Sequence, residues 1–238
     1  MKLKCIGSGS SGNSYALIDN DNKILLLDLG LPEKEIKKAI DFRISDVVGA
    51  VVTHSHQDHS KAVEDFEKMG IPVFKPYMDL DNICADENCQ LAQKYEDFRI
   101  VAFQLPHNGM RNCGFLITVD GQKILYLTDF EYCKYNFKNL NVNHILVECN
   151  YQQGLVDRDL PNYEHKIRGH CSLSTCKEFI KVNATDNLQN VILCHLGRET
   201  TEPEECVDEV QKIVPQANVC VAERGLEVEL RKKGECPF

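Results

Sequence analysis

The chain lacks any uninterrupted apolar stretch approaching about 18 residues, so no segment of it reads as a membrane-spanning helix. Its start, Met1-Lys2-Leu3-Lys4-Cys5-Ile6, has no apolar run of the kind a secretory signal carries. Positive charge is in short supply: 27 Lys and Arg stand against 36 Asp and Glu, for a formal net charge of −9 and a pI near 5.4. That balance argues against tight non-specific binding to a phosphate backbone, which rests on many Lys and Arg contacts. No Cys-x-x-Cys pair occurs, which argues against a zinc ribbon or a thioredoxin-like motif. No Gly-Lys-Ser/Thr occurs either, so a nucleotide-phosphate loop of that kind is absent. There is no linker, low-complexity tract or internal repeat, and the 238 residues read as a single domain, 1–238.

What is present is an ordinary globular balance, 43% hydrophobic and 26% charged, enough to bury a core without disulfides. The twelve cysteines are scattered. With no export signal they read as reduced thiols in a cytoplasmic protein, acting mostly as small hydrophobes. Short runs rich in Val, Ile and Leu predict strands at 2–6, 14–19, 23–28, 49–53, 71–75, 98–103, 113–119, 123–128, 144–148, 190–194, 218–222 and 226–231. Asp19-Asn20-Asp21-Asn22 and Asp120-Gly121 read as hairpin turns. Helices are expected at 32–41, 59–69, 173–183 and 203–213, with Pro32 and Pro203 at two starts and Ser172 or Ser174 capping a third. The alternation predicts an α/β fold of packed sheets with helices outside. Residues 76–97 form a polar, acidic excursion that reads as a solvated insertion.

The most informative stretch is Thr53-His54-Ser55-His56-Gln57-Asp58-His59, which follows the apolar run Gly49-Ala50-Val51-Val52. Imidazole and carboxylate together suit zinc and similar divalent metals. In extended chain, residues 54 and 56 point to the same side, and Asp58 and His59 then fall at the turn into a helix. One loop thus offers more donors than one tetrahedral metal needs, which suggests two metals. Pro106-His107, Asp129 and His195 each bring a ligand type to the end of a predicted strand, making seven candidates: His54, His56, Asp58, His59, His107, Asp129 and His195. Asp28 ends another strand, where a carboxylate can orient a ligand imidazole. Gly7-Ser8-Gly9-Ser10-Ser11-Gly12 fits G-x-G-x-x-G, but a strand, not a helix, follows it, so it reads as a tight connection lining a site rather than a dinucleotide loop.

The H-x-H-x-D-H signature, followed in order by a His, an Asp and a final His, resembles the metallo-β-lactamase superfamily of metallohydrolases. Gly7-Ser8-Gly9-Ser10-Ser11-Gly12-Asn13, Pro106-His107 and Glu148-Cys149-Asn150 further resemble its WalJ/YycJ-like branch. The resemblance implies a four-layer αβ/βα sandwich with a dinuclear site at one edge. His54, His56 and His107 would hold one cation, Asp58, His59 and His195 the other, and Asp129 would bridge them around a water or hydroxide. Zinc is the first expectation and manganese the second. Glu148 and His170 resemble the pair that protonates the leaving oxygen in phosphodiesterase branches, so Asp58, Glu148 and His170 are the candidate catalytic residues. The chain departs from its branch at Asn108, Tyr151, Cys171 and Leu173, and it lacks the arm that resembles a tRNA-binding exosite.

The implied activity is a metal-dependent hydrolase acting on phosphodiesters in DNA, RNA or a small nucleotide, resembling a DNA exonuclease. Two bound cations would add four positive charges where a phosphate must sit, which answers the acidic balance. The alternatives are a cyclic-nucleotide, lactone or thioester hydrolase, and a non-catalytic binding protein on the same fold. Arg111, Lys134, Lys166, Arg168 and Arg198 are candidate phosphate contacts, Arg168 and Arg198 foremost. His144 and His165 fit no motif and read as ordinary histidines.

Overall fold

The structure, a computed structural model, describes residues 1–80, 91–159, 161, 163–231 and 234. Its strands are β1 (Lys2–Gly7), β2 (Ser14–Ile18), β3 (Ile24–Leu27), β4 (Val47–Val51), β5 (Val73–Phe74), β6 (Leu91–Tyr95), β7 (Phe98–His107), β8 (Met110–Val119), β9 (Gln122–Leu127), β10 (His144–Glu148), β11 (Asn190–Cys194), β12 (Asn218–Val221) and β13 (Glu227–Glu229). The helices are α1 (Glu33–Ala39), α2 (Gln57–Ser60), α3 (Val63–Lys68), α4 (Tyr163–Gly169), α5 (Leu173–Asn183) and α6 (Pro203–Gln211). The strands form two sheets, in the orders β13-β1-β2-β3-β4-β5 and β12-β11-β10-β9-β8-β7-β6.

Side chains alternate across a strand, and here both faces are apolar. In β3, Leu25 and Leu27 meet Phe115, Ile124 and Tyr126 of the other sheet, while Ile24 and Leu26 face Ile36 and Phe66 from the helices outside. The second sheet repeats this: Leu146 and Ile192 point inward, and Ile145, Val147 and Leu193 pack under Phe179, Ile180 and Val210 of α5 and α6. The result is four layers, helix–sheet–sheet–helix, as the family resemblance implied. None of the described helices is long and apolar enough to cross a membrane.

Register decides where the site lies. β9, β10 and β11 run parallel with Leu127, Val147 and Leu193 level, so Asp129, Glu148 and His195 leave the sheet at one edge. β3 and β4 are parallel with Leu27 beside Val51, which brings Asp28 and Thr53 out together. The carboxyl ends of parallel strands are where open sheets gather functional loops.

Three elements differ from expectation. The helix expected at 59–69 is broken into α2 and α3, because the Ala62 amide donates to the Leu29 carbonyl (2.9 Å) instead of continuing the helix. The excursion at 76–97 contains an edge strand, β6, whose Leu-Ala-Gln-Lys-Tyr sequence is too polar to read as one. Residues 81–90 of that excursion lie outside the described residues, as do Cys84, Cys89 and Cys236. The third is α4, whose residues are mostly polar. Of the described cysteines, all are free and most are buried, Cys194 among them in β11, consistent with a packing role.

His144, at the start of β10, is fully buried and structural, as read from the sequence. Gln122 Nε2 donates to the Leu230 carbonyl (3.0 Å), so Gln122 Oε1 accepts from His144 Nε2–H (2.8 Å), and Asn190 Nδ2 donates to His144 Nδ1 (2.9 Å). The ring is therefore held neutral. Burial above all, with the N-terminal ammonium second, pushes it down to about 3. Because the folded value lies below the unfolded one, this contribution is intact above pH 6.5 and is lost as pH falls towards 3. Urea unfolding should show His144→Gln losing about 2–3 kcal/mol less than the native chain between pH 6.5 and 4.5. Equal slopes for the two proteins would refute this.

Candidate metal centre

Asp28 organises the first half of the site. It is fully buried and takes the Thr53 amide (2.8 Å), the Thr53 hydroxyl (3.1 Å) and the Tyr126 hydroxyl from the opposite sheet. It also accepts from His59 Nδ1–H (2.7 Å), which is the orienting role its place in the sequence suggested. His56 stands in extended conformation just before α2, and the Ser60 hydroxyl donates to the Ser55 and His56 carbonyls (3.0 Å each), closing the turn that presents Asp58 and His59.

The glycine-rich loop supports this turn from behind. The Asn13 amide donates to the Asp58 carbonyl (2.7 Å), and Asn13 Nδ2 lies 3.0 Å from His59 Nε2. A Cβ at Gly30 would stand 1.7 Å from the Asp58 carbonyl oxygen, so no other residue fits there without moving Asp58.

The second sheet supplies the other half. His107 ends β7, Asp129 follows β9, Glu148 ends β10 and His195 follows β11. Asp28, Asp129 and His195 all adopt left-handed backbone, with φ of 55°, 52° and 51°. Such conformations cost about 1–3 kcal/mol each and persist where the surroundings hold them.

All seven candidate ligands converge. His54, His56, His107 and Asp129 form one cluster, and Asp58, His59, Asp129 and His195 a second that shares Asp129. In the first, His56 Nδ1 lies 3.0 Å from His54 Nε2 and 3.3 Å from His107 Nε2, while Asp129 Oδ2 lies 3.7 and 3.9 Å from those two Nε2 atoms. In the second, His59 Nε2 is 3.4 Å from Asp129 Oδ1 and 3.7 Å from Asp58 Oδ2, and His195 Nδ1 is 2.8 Å from Asp129 Oδ1.

The donor chemistry fits a cation. His107 Nδ1–H donates to the Gly169 carbonyl (2.5 Å), which leaves its Nε2 bare. The Thr53 hydroxyl gives its only hydrogen to Asp28, so it accepts from His54 Nδ1–H (3.0 Å), leaving His54 Nε2 bare as well. Two bare nitrogens thus face one nitrogen of His56, and a single hydrogen there can satisfy only one of them. A divalent cation satisfies all three together with Asp129, the four-donor set such a metal takes.

Charge points the same way. Burial foremost pushes His54, His56 and His107 down, so they are neutral and available as donors. Burial also opposes charge on His59 and His195, but Asp129 with Asp28 lifts His59 well above its ordinary value, and Asp129 with Glu148 lifts His195 to about 10. Asp129 in turn is held well below the carboxylate range by His195 and His59, against the opposing effect of burial. Buried carboxylates here demand positive charge, supplied by ring protons where no metal is bound.

Glu148 and His170 are also in contact. Glu148 Oε1 accepts from His170 Nδ1–H (2.7 Å) and lies 2.8 Å from His195 Nδ1, while Oε2 accepts the amides of Phe130 (3.1 Å) and Cys171 (2.9 Å). His170, His195, Asp129 and Glu148 form a third cluster of close donors. Burial opposes ionisation of Glu148, yet His170 draws it below its usual value.

A cleft of about 890 Å³ opens over these residues, lined by Ser10, Tyr163, His165, Lys166, His170 and Arg198 among others. Of the candidate phosphate contacts, Lys166 and Arg198 line it. Arg168 instead pairs with Glu164 (3.1 Å) on the exposed side of α4, Lys134 lies over the Tyr135 ring (5.3 Å), and Arg111 reaches the Met78 carbonyl (3.4 Å). His165, read as ordinary, stands in the cleft wall, its Nδ1 2.9 Å from Asn108 Nδ2. The signal that could have found α4 is Pro161 two residues ahead of its start and Gly169 at its end.

Comparison with known proteins agrees with this fold. Residues 7–74 match the family model of the Metallo-beta-lactamase superfamily. The chain is 24% identical over 246 residues to exodeoxyribonuclease YycJ of Bacillus anthracis, a match covering 94% of this chain and 92% of the relative. Among solved structures it is similar to the metallo-beta-lactamase fold protein YhfI from Bacillus subtilis, with a TM-score of 0.71, 16% identity, and 95% and 98% of the two chains covered. It is also similar to a diphosphatase from the PhnP family, with a TM-score of 0.68, 14% identity, and 97% and 98% covered. The class that fold and site define is therefore the metallo-β-lactamase αβ/βα sandwich. The resemblance read from the sequence, to that superfamily and within it to the WalJ/YycJ-like branch, holds.

Proposed function

We propose that this chain is a dinuclear metal-dependent hydrolase of phosphodiesters, resembling a DNA exonuclease. The observation that carries the reading is the Glu148–His170 pair, hydrogen-bonded beside the two donor clusters. His54, His56 and His107 would hold one cation, Asp58, His59 and His195 the other, and Asp129 both, with zinc first and manganese second. Cations in those positions would lower the pKa of water and stabilise charge on the attacked phosphate. His170 lines the cleft, and its Nδ1–H is committed to Glu148, so Nε2 is the atom that delivers a proton to the departing oxygen. An alkoxide leaves poorly without such a proton. Lactones and thioesters make less demand on an acid at this position. The relatives named exodeoxyribonuclease and diphosphatase support phosphate chemistry.

The test is hydrolysis of bis(p-nitrophenyl) phosphate by zinc- or manganese-loaded protein. Asp58→Ala should abolish turnover, while His170→Ala should be mild, because p-nitrophenolate leaves without help. DNA, RNA and cyclic nucleotides then define the substrate. No turnover by metal-replete protein would move the reading to lactones and thioesters.

A further inference from the structure

Lys166 is a half-buried cation with no carboxylate in ion-pair contact among the described residues. Its Nζ donates to Asn150 Oδ1 (2.9 Å) and to Thr200 Oγ1 (2.9 Å), and no ion pair to it occurs among the described residues. Both partners are neutral, and both are themselves fixed: Asn150 Nδ2 donates to the His195 carbonyl (2.9 Å), and Thr200 Oγ1 to the Asn150 carbonyl (3.1 Å). An ammonium has three hydrogens. Two are used in holding its position, and the third is left for the cleft that Lys166 lines. A desolvated charge placed this way is costly unless an anion completes it. Burial does lower its affinity for the proton, against the pull of Glu148 and Glu199.

The surroundings say what kind of anion. Arg198 and the hydroxyl-bearing Ser10 and Ser11 line the same cleft, and Leu155, Val156 and Tyr163 add an apolar surface. Phosphate beside a flat, apolar body is the chemistry of a nucleotide. The attacked phosphate belongs at the donor clusters, so a separate fixed cation on the wall serves a second one.

We propose that Lys166, clamped by Asn150 and Thr200, anchors a subsite for the phosphate next to the scissile one in a nucleotide substrate. The proposal rests on the phosphodiesterase reading for the identity of its ligand, but its test does not need turnover. Calorimetric binding of thymidine 3′,5′-bisphosphate and thymidine 5′-monophosphate to the metal-loaded protein measures the second phosphate directly. The native chain should prefer the bisphosphate by about tenfold or more, as one charge-assisted contact allows. Lys166→Gln should reduce that preference to about two- to threefold with the monophosphate little changed, and Lys166→Arg should keep most of it.

No preference in the native chain overturns the subsite without recourse to any variant. Equal weakening of both ligands by Lys166→Gln, or a preference that survives it, overturns the role of Lys166. A protein that prefers the bisphosphate but cleaves no diester keeps the subsite and loses the hydrolase reading. One that cleaves bis(p-nitrophenyl) phosphate without the preference loses only the subsite.

Discussion

Glu148→Gln should lower kcat on an unactivated diester such as a thymidine dinucleotide by about 10²–10⁴-fold, the range a positioned general acid contributes. On bis(p-nitrophenyl) phosphate the loss should be much smaller. The reason lies in the four contacts of one buried carboxylate. Oε2 faces two backbone N–H groups and Oε1 faces two imidazole nitrogens, so the acceptor-only chemistry of a carboxylate satisfies every one of them. An amide must turn its NH₂ towards one pair and so opposes donors with donors. It also removes the negative charge that His170 Nδ1–H faces. Rates measured against leaving-group basicity distinguish this from simple damage. A positioned acid predicts a steeper dependence in the variant, whereas a uniform loss over all leaving groups would show that Glu148 only holds the fold.

Asp129→Ala should cost the protein both cations rather than one. Among the described residues Asp129 is the only one common to the two donor clusters, with Oδ1 facing His59 and His195 and Oδ2 facing His54 and His107. Metal analysis after gel filtration should show its content falling from about two per chain to well below one, the shared donor of a two-metal site being lost. Thermal melting gives an independent reading. A cation at a thousandfold excess over its Kd adds about 4 kcal/mol, on the order of 10 °C for a chain of this length. The native chain should show that shift on metal addition, and the variant should not. Retention of one tightly held metal by Asp129→Ala would refute the shared role.

How much of this could be read from the chain depends on how locally each part is encoded. β10, β11 and α5 follow from apolar runs and a Ser172 cap, with Ser172 Oγ accepting the Thr175 amide (3.1 Å), and their bounds match expectation. That the seven candidate ligands would come together was legible because four sit in one loop and the others each close a strand. The orienting role of Asp28 was legible from its strand end, but the Tyr126 hydroxyl that crosses to it from the other sheet was not, since no local pattern encodes an inter-sheet contact. The cleft wall was hardest. α4 carries Glu, His, Lys and Arg in one turn and a half, so its apolar period is weak, and only the helix shows that Lys166 lines the cleft while Arg168, foremost among the expected phosphate contacts with Arg198, pairs with Glu164 on the exposed side.

The two halves of the centre have different neighbours. The loop from Thr53 to His59 is packed against Asn13, Asp28 and Gly30, and at Gly30 even a methyl group would collide with the Asp58 carbonyl, so the backbone that presents Asp58 and His59 is closely held. Leu155, Tyr163 and Arg198 stand instead on the segments that follow β10 and β11, half-buried or exposed at the cleft. A lineage of such chains could therefore alter what its cleft accepts by rewriting a few surface positions in its second half, while the packed turn that carries four of the seven candidate ligands stays as it is.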